Sequence, residues 1–155
     1  MSIISQLSKS LPKNIVISGD ENTRPFECDG LSVYKQKPLA VVLPNNLSQV
    51  KKVLEICRKN NTPIVTRGAG TGLSGGAMPI KDSVVLGLSK LTKVISINPQ
   101  EQTAVVEPGV RNLAISEAAD EYGLYYAPDP SSQIACTIGG NVAENAGGVH
   151  CLKYG

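Results

Sequence analysis

The 155-residue sequence contains no tryptophan, a single phenylalanine and a single histidine, and its net charge is only +2. A nucleic-acid-binding surface needs clustered Lys and Arg residues, and no run of these residues occurs. No apolar stretch approaches the roughly 20 residues that a membrane helix needs. The N-terminus lacks the basic start and the apolar core of about 7–15 residues that are typical of a secretory signal. The composition therefore favours a globular domain, and 41% hydrophobic residues are enough to build its core.

Cysteine and histidine usage gives no sign of a metal site. The four cysteines form no C-x-x-C pair and no zinc-ligand spacing. The histidine is single and the acidic residues are scattered, so no metal-ligating group is predicted. We expect free thiols in a reducing compartment at Cys28, Cys57, Cys136 and Cys151.

Glycine, in contrast, is plentiful in two places. Five of the 15 glycines fall in residues 68–76, which we name the first glycine loop. Four more fall in residues 137–148, which we name the second glycine segment. Glycine permits tight turns and close approach of the backbone to a ligand, so this clustering predicts ligand-binding loops. A tight connection that binds nothing would show the same pattern.

The first half of the chain alternates between strand and helix patterns. A helix is predicted over residues 3–11, and residues 13–37 are predicted to be irregular. Strands are expected at residues 39–43 and 63–66, on either side of a helix with Ser48 as its N-cap. The apolar face of this helix comprises Val50, Val53, Leu54 and Cys57. A strand, a helix and a strand in this order form a βαβ unit, so the two strands are expected to be parallel.

The second half is predicted to be mixed as well. A further strand is expected at residues 84–88, and residues 94–97 and 103–107 are expected to form a strand pair. A helix is predicted over residues 111–122, with Gly123 as its C-terminal cap. Its inward residues are predicted to be Leu113, Ala114, Ala118 and Tyr122.

The first glycine loop has the composition of a phosphate-binding loop. Residues 70–75 match the G-x-G-x-x-G dinucleotide fingerprint, but that fingerprint must open a helix. Here Pro79 and an apolar strand follow, so we predict a strand-to-strand loop and exclude a Rossmann site. The absence of Gly-Lys-Ser/Thr excludes a P-loop. We expect the free backbone N–H groups to bind a phosphate or diphosphate, together with the hydroxyls of Thr71 and Ser74 and the charge of Arg67.

The second glycine segment lies in a stretch that begins at Ala127 and is predicted to be rich in turns. The stretch offers neutral hydrogen-bonding side chains at Ser131, Ser132, Thr137, Asn141 and Asn145. Such groups suit a large planar ligand with many carbonyl and N–H edges. Two neutral glycine-rich stretches in one small domain predict a single extended cofactor held at two places, although unrelated surface turns would also fit.

Four motifs carry a family resemblance. They are PIVTRGAGTGLSGGA at residues 63–77, VEPGV at 106–110, PDPSS at 128–132 and TIGGNVAENAGG at 137–148. Together they resemble the FAD-binding PCMH-type domain of the vanillyl-alcohol-oxidase flavoprotein family. Residues 24–34 and 148–155 are similar to that family as well. Within the family, the motifs are most similar to D-2-hydroxyacid dehydrogenases of the glycolate oxidase type.

The resemblance implies an α+β fold of two subdomains with FAD between them. It implies that the first glycine loop holds the FAD diphosphate and that later residues lie along the ribityl chain and the isoalloxazine. The implied cofactor-binding residues are Arg67, Gly68, Gly70, Thr71, Gly72, Leu73, Ser74, Gly75, Gly76, Pro128, Asp129, Ser132, Thr137, Gly140, Asn141, Asn145 and Gly147.

Two residues could link or assist the flavin, and neither is expected to. Some family members bind the flavin covalently through a histidine in the phosphate loop. This loop has none, so non-covalent FAD is expected. His150 is expected to be an ordinary polar position rather than a catalytic or linking group, and Cys136 is expected to be a packing residue.

The resemblance also implies a reaction. A 2-hydroxyacid such as glycolate or D-lactate would be oxidised to a 2-oxoacid, with hydride passing to flavin N5 and electrons leaving through an iron–sulfur partner subunit. The implied location is cytoplasmic, with peripheral attachment at the inner membrane through partner subunits. The alternatives are a D-lactate or D-2-hydroxyglutarate dehydrogenase of the same family and a non-enzymatic nucleotide- or phosphate-binding module.

The predicted organisation has three parts. Residues 1–37 form an N-terminal helix and an irregular lead-in, residues 38–92 form a first α+β FAD subdomain, and residues 93–155 begin a second, incomplete one. In this family the substrate-binding residues and part of the adenine site come from sequence beyond such segments. We therefore expect these 155 residues alone to be catalytically inactive and to bind FAD weakly or not at all.

Overall fold

The computed structural model describes residues 1–154, and the chain divides into two compact units. The first unit comprises Met1–Lys90 and the second begins at Leu91. None of the helices within residues 1–154 combines the length and the apolar character needed to cross a bilayer. The predicted assignment of residues 38–92 and 93–155 to two FAD subdomains stays a prediction.

The first unit is built on a four-stranded sheet with the order β1-β2-β4-β3. Its strands are β1 (Val16–Ser18), β2 (Ala40–Val42), β3 (Ile64–Arg67) and β4 (Val84–Gly87). Strands β2 and β3 each pair in parallel with β4, which lies between them. The predicted parallel orientation of the βαβ strands is therefore confirmed, although the two strands are not neighbours. Every residue of β2 and β4 is buried, as their continuous apolar sequences require.

Helices α1 (Ile3–Ser10) and α3 (Leu47–Lys59) complete the core of the first unit. Both predicted helices are confirmed, but the predicted N-cap Ser48 is wrong. The Asn46 side chain accepts a hydrogen bond from the Gln49 backbone N–H at 3.0 Å, so α3 begins two residues earlier than predicted. The core cluster comprises Leu7, Leu11, Ile15, Val42, Val53, Ile56, Cys57, Val84 and Leu86.

Residues 13–37 are less irregular than predicted. They contain β1, the short helix α2 (Asp20–Thr23) and two 3-10 turns, Lys13–Ile15 and Arg24–Phe26. Strand β1 has only three residues and pairs antiparallel with β2. Three residues are too few for a pattern that indicates a strand. Residues 16–18 form a strand because they pair with the buried strand β2.

The second unit contains a strand pair and three helices. Strands β5 (Val94–Asn98) and β6 (Thr103–Val106) pair antiparallel, as predicted. Helix α4 (Asn112–Ala119) continues into a 3-10 turn, Asp120–Tyr122. Gly123 then ends this helical stretch at φ 67°, as predicted for a C-terminal cap.

The buried face of α4 differs from the prediction. Its buried residues are Asn112, Ile115 and Ala119, whereas Tyr122 is 46% exposed. The prediction counted apolar residues only. Asn112 can be buried because its amide has hydrogen-bond partners at Pro128 and Asn141 inside the unit.

The second glycine segment is not made of turns alone, because it contains helix α5 (Ile138–Glu144). Glycine disfavours helix interiors, so the local pattern of residues does not indicate a helix here. The structure supplies partners from outside the helix. The backbone N–H groups of Ile138 and Gly139 donate to the carbonyls of Val110 and Pro108, both at 2.9 Å. A last short helix, α6 (Cys151–Tyr154), follows. All four cysteines are free, as expected, and Cys151 is exposed rather than packed.

Candidate functional site

The first glycine loop connects β3 to β4 without a helix, which confirms the strand-to-strand prediction. Among the described residues, no backbone N–H from position 68 to position 77 has a hydrogen-bond partner. Thr71, Leu73, Ser74 and Gly76 are exposed. Unpaired and accessible N–H groups in succession are what an anion-binding loop requires, because an anion can then satisfy several of them at once.

Arg67, the last residue of β3, is directed into the protein. Its Nη1 donates to the Cys28 carbonyl at 2.6 Å and lies 3.4 Å from the Ala77 carbonyl. Its guanidinium carbon lies 5.7 Å from the centre of the Phe26 ring, within cation–π range. Burial lowers the pKa of the Arg67 guanidinium, while the charges of Cys28 and Asp29 act in the opposite direction. An arginine remains charged at neutral pH even so.

Residues before β2 also contact the first glycine loop. Gly30 packs against the backbone carbonyls of Thr71 and Gly72, and a Cβ at position 30 would lie 2.8 Å from both oxygens. Sequence analysis did not place Gly30 in a site. The sequence feature at this position is the Asp29-Gly30 dipeptide, which indicates a turn but does not indicate which residues the turn contacts.

Thr137 begins α5 with a buried hydroxyl. Its side chain is nearly inaccessible, and within the described residues its Oγ1 has no hydrogen-bond partner. A buried hydroxyl without a partner is costly in a folded chain. Gly140 lies beside it, since a Cβ there would be 3.5 Å from this oxygen. The orphaned hydroxyl is thus free to serve a ligand.

Asn112 organises the buried part of the second unit. Its Nδ2 donates to the Pro128 carbonyl, and its Oδ1 accepts from Asn141 Nδ2, both at 2.9 Å. The Asn141 amide group that was predicted to face the cofactor is therefore partly engaged within the protein. Sequence analysis missed Asn112, because one asparagine at a helix start carries no signal of such a network.

Asp129 is linked to the end of the second glycine segment. His150 Nδ1 lies 3.0 Å from Asp129 Oδ1, and Asp129 forms a β-bridge with Gly148. The nearby His150 side chain lowers the pKa of the Asp129 carboxyl, whereas burial of the carboxyl acts in the opposite direction. This carboxylate therefore holds the chain at residues 148–150.

Four of the predicted cofactor residues line one cavity of about 210 Å³ in the second unit. They are Pro128, Asn141, Asn145 and Gly147. The rest of the lining is Tyr126, Val142, Ala146 and Tyr154, which adds two aromatic rings. Ser132 does not line this cavity, and its carbonyl accepts from two backbone N–H groups in a turn.

The residues present fit the parts of FAD. The neutral first glycine loop has free N–H groups suited to a diphosphate. The second unit has an orphaned hydroxyl and a neutral, partly aromatic cavity suited to a flavin or its ribityl chain.

Comparison with known proteins agrees with this chemistry. The chain is 56% identical over 154 residues to the Escherichia coli (strain K12) glycolate oxidase subunit GlcD, covering 99% of this chain and 31% of that protein. It is 34% identical over 154 residues to the D-lactate dehydrogenase of Anaerostipes hadrus, covering 99% of this chain and 32% of that protein. The chain thus spans about a third of the length of these relatives.

The fold is also found in a solved structure. An alkyldihydroxyacetonephosphate synthase superposes with a TM-score of 0.86 at 22% identity, over 99% of this chain and 30% of that one. This likeness establishes a mixed helix and strand fold of the type expected from the sequence. Residues 38–155 match the family described as FAD binding domain. The chain therefore belongs to the FAD-binding domain family.

Proposed function

We propose that the chain is the FAD-binding part of a flavin-dependent 2-hydroxyacid oxidoreductase. The observation that carries this proposal is the run of unpaired backbone N–H groups from position 68 to position 77. A diphosphate would satisfy these groups, and no charged side chain of the loop competes for that place. The similarity to a glycolate oxidase subunit over nearly the whole chain supports the same function.

The second unit supplies contacts of a different kind. The Thr137 hydroxyl and the cavity side chains at Asn141 and Asn145 would hydrogen-bond the ribityl chain or the ring edges. The binding is proposed to be non-covalent, because the first glycine loop contains no histidine, cysteine or tyrosine that could bond to the ring. Bound FAD would accept the two electrons that leave a 2-hydroxyacid as hydride.

Glycolate is the proposed substrate, because the relative with 56% identity is a glycolate oxidase subunit. D-lactate is the second candidate, since a D-lactate dehydrogenase matches over the same length. The word subunit in the relative's name supports a partner chain, which we propose to be an iron–sulfur protein that accepts the electrons. The corresponding location is cytoplasmic, with peripheral attachment to the inner membrane through that partner.

A chimera tests the proposed function. The chain replaces the matching residues of the E. coli relative, and the purified protein is examined for bound flavin and for bleaching by glycolate, D-lactate and D-2-hydroxyglutarate. We expect a yellow protein that glycolate reduces. A colourless chimera that is folded and binds free nucleotides would contradict the proposal and favour a nucleotide-binding module. The control is the same chimera with Glu55→Gln, a change at a salt bridge on the exposed side of α3, and it should bind flavin as the chimera does.

The chain alone provides the second test. We expect weak quenching of FAD fluorescence and no hydroxyacid-dependent bleaching, because the chain spans about a third of its relatives. Tight FAD binding with bleaching by the isolated chain would show that the substrate-binding residues are already present in it.

A further inference from the structure

Arg67 joins three separate segments of the first unit. Its backbone carbonyl accepts from the Leu88 N–H at 2.8 Å, which fixes the residue to the sheet. Its guanidinium reaches Cys28, in the segment before β2, and lies near Ala77, where the first glycine loop ends. The side chain therefore spans the base of the loop from one end to the other.

Gly30 holds the same loop at its middle. A Cβ at this position would meet two carbonyl oxygens of the loop at 2.8 Å and the Leu73 side chain at 3.1 Å. Backbone oxygens cannot move aside as the end of a flexible side chain can. Gly30 thus allows the segment before β2 to lie directly on the loop.

The loop in turn is shaped around the guanidinium. Gly70 has φ 75°, and a Cβ there would overlap the Arg67 guanidinium. The backbone at Gly70 therefore packs directly against the guanidinium of Arg67, which is half-buried. An arginine that bound a phosphate would direct its guanidinium N–H groups toward that ligand. The carboxylate of Asp29, which is only 6% exposed, favours the charged guanidinium and raises the pKa of Arg67.

We propose that Arg67 and Gly30 are positioning residues that hold the first glycine loop in its anion-binding conformation, and that Arg67 does so without contacting the diphosphate. The inference deepens the proposed function and rests on it for the identity of the ligand. It assigns a role to the segment from Phe26 to Gly30, which lies before the residues matched by the family. The phosphate is then bound by the backbone N–H groups, whose direction Arg67 and Gly30 set.

Hydrogen exchange in the full chain without ligand tests the positioning role. We expect Arg67→Lys and Gly30→Ala each to speed exchange of the Met78 and Leu88 amides, which are hydrogen-bonded to the Gly75 and Arg67 carbonyls at the two ends of the loop, by about tenfold. The first change removes the side-chain contacts of Arg67, and the second pushes the segment before β2 off the loop. Amides of α3 and β4 keep their rates. Arg58→Lys, an exposed arginine in the last turn of α3, is the matched control. Unchanged loop exchange in both variants would overturn the proposal.

Ligand titration separates positioning from direct contact. Measured by fluorescence quenching in the chimera with the E. coli relative, the Kd for FAD is expected to rise about tenfold in either variant. The Kd for riboflavin, which has no phosphate, is expected to stay within about twofold. If the variants only lost general stability, the Kd values for FAD and riboflavin would rise by the same factor. Equal rises would therefore contradict the positioning role.

A double variant gives the last readout. If both residues act through the loop conformation, Arg67→Lys and Gly30→Ala together raise the Kd for FAD by less than the product of their separate effects. If Arg67 contacts the diphosphate, the two effects multiply, and the inference is wrong. A folded wild-type chimera that does not bind FAD counts against the proposed function, whereas the exchange rates of the chain itself still decide the positioning role.

Discussion

The two glycine-rich stretches are alike in composition and opposite in what they offer a ligand. In the first glycine loop the backbone N–H groups are unpaired among the described residues. In the second glycine segment the N–H groups of Ile138, Gly139 and Asn141 donate to the Val110, Pro108 and Thr137 carbonyls, and among the described residues the Thr137 hydroxyl has no partner. A high density of glycine therefore marks a place where the backbone can lie close to a ligand or to another segment. The local hydrogen bonding then decides whether backbone N–H groups or side chains are left to bind the ligand.

The two stretches are also supported differently. The first is held by a charged side chain, Arg67, and by a glycine packed on carbonyl oxygens. The second rests on a neutral buried network of Asn112, Asn141 and the Pro128 carbonyl. Substitutions in the two stretches are therefore expected to affect the stability of their units in different ways.

The largest effect is expected for Asn112→Ala. It removes two hydrogen bonds and leaves the buried Asn141 amide and the half-buried Pro128 carbonyl without these partners. We expect the free energy of unfolding of the second unit to fall by about 2–3 kcal/mol. Hydrogen exchange of the slowest amides beyond residue 91 measures it. Exposed Asn14→Ala is the control, and equal effects of the two would show that the network does not support the second unit.

Gly70→Ala should come next and act on the first unit. A Cβ at φ 75° costs about 1–2 kcal/mol, and overlap with Arg67 adds to it. Gly75→Ala is the matched control, because Gly75 has φ 77° but nothing lies within 4 Å of its Cβ. Urea unfolding should show the larger loss for Gly70. Equal losses would mean that Arg67 does not constrain the loop.

A pH-dependent difference between the units is expected from Asp129. Its folded pKa is lowered, first by the hydrogen bond from His150, so its stabilising contribution is present above the unfolded value near about 4. This contribution is lost as the pH falls through the lowered folded pKa. Asp129→Asn should remove that acid dependence from the second unit. Thermal unfolding between about pH 2 and 6 checks it. Exposed Asp120→Asn is the control, and an unchanged acid profile in Asp129→Asn would contradict the assignment.

The smallest effect on stability is expected for Thr137→Val. Within the described residues the hydroxyl has no hydrogen-bond partner, so removing it should not lower the free energy of unfolding. Asn46→Ala, at the start of α3, should cost about 1 kcal/mol because Asn46 caps its helix. FAD affinity should nevertheless fall in Thr137→Val. A large loss of stability with unchanged affinity would show that the hydroxyl is structural.

Much of the first unit follows from local sequence. The apolar runs that form β2 and β4 and the helical spacing of α3 have strong periodic signals, and the elements lie within a residue or two of their predicted positions. The N-cap prediction failed at Ser48 because two good capping residues lie close together, and only the position of the preceding strand selects Asn46. Strand β1 has no detectable signal by itself, since three residues cannot establish a period.

The sequence by itself determined the parallel strands, the strand-to-strand first glycine loop and the neutral character of both glycine-rich stretches. These properties depend on residue type, on spacing and on the proline at position 79, which all act locally. Only the tertiary structure decided that α5 forms, that Asn112 is buried and that Arg67 is directed inward. The partners of these groups are distant in sequence: the Cys28 carbonyl lies 39 residues from Arg67, and Asn112 lies 29 residues from Asn141. A hydrogen bond of that kind exists only after the chain has folded, and no local pattern encodes it.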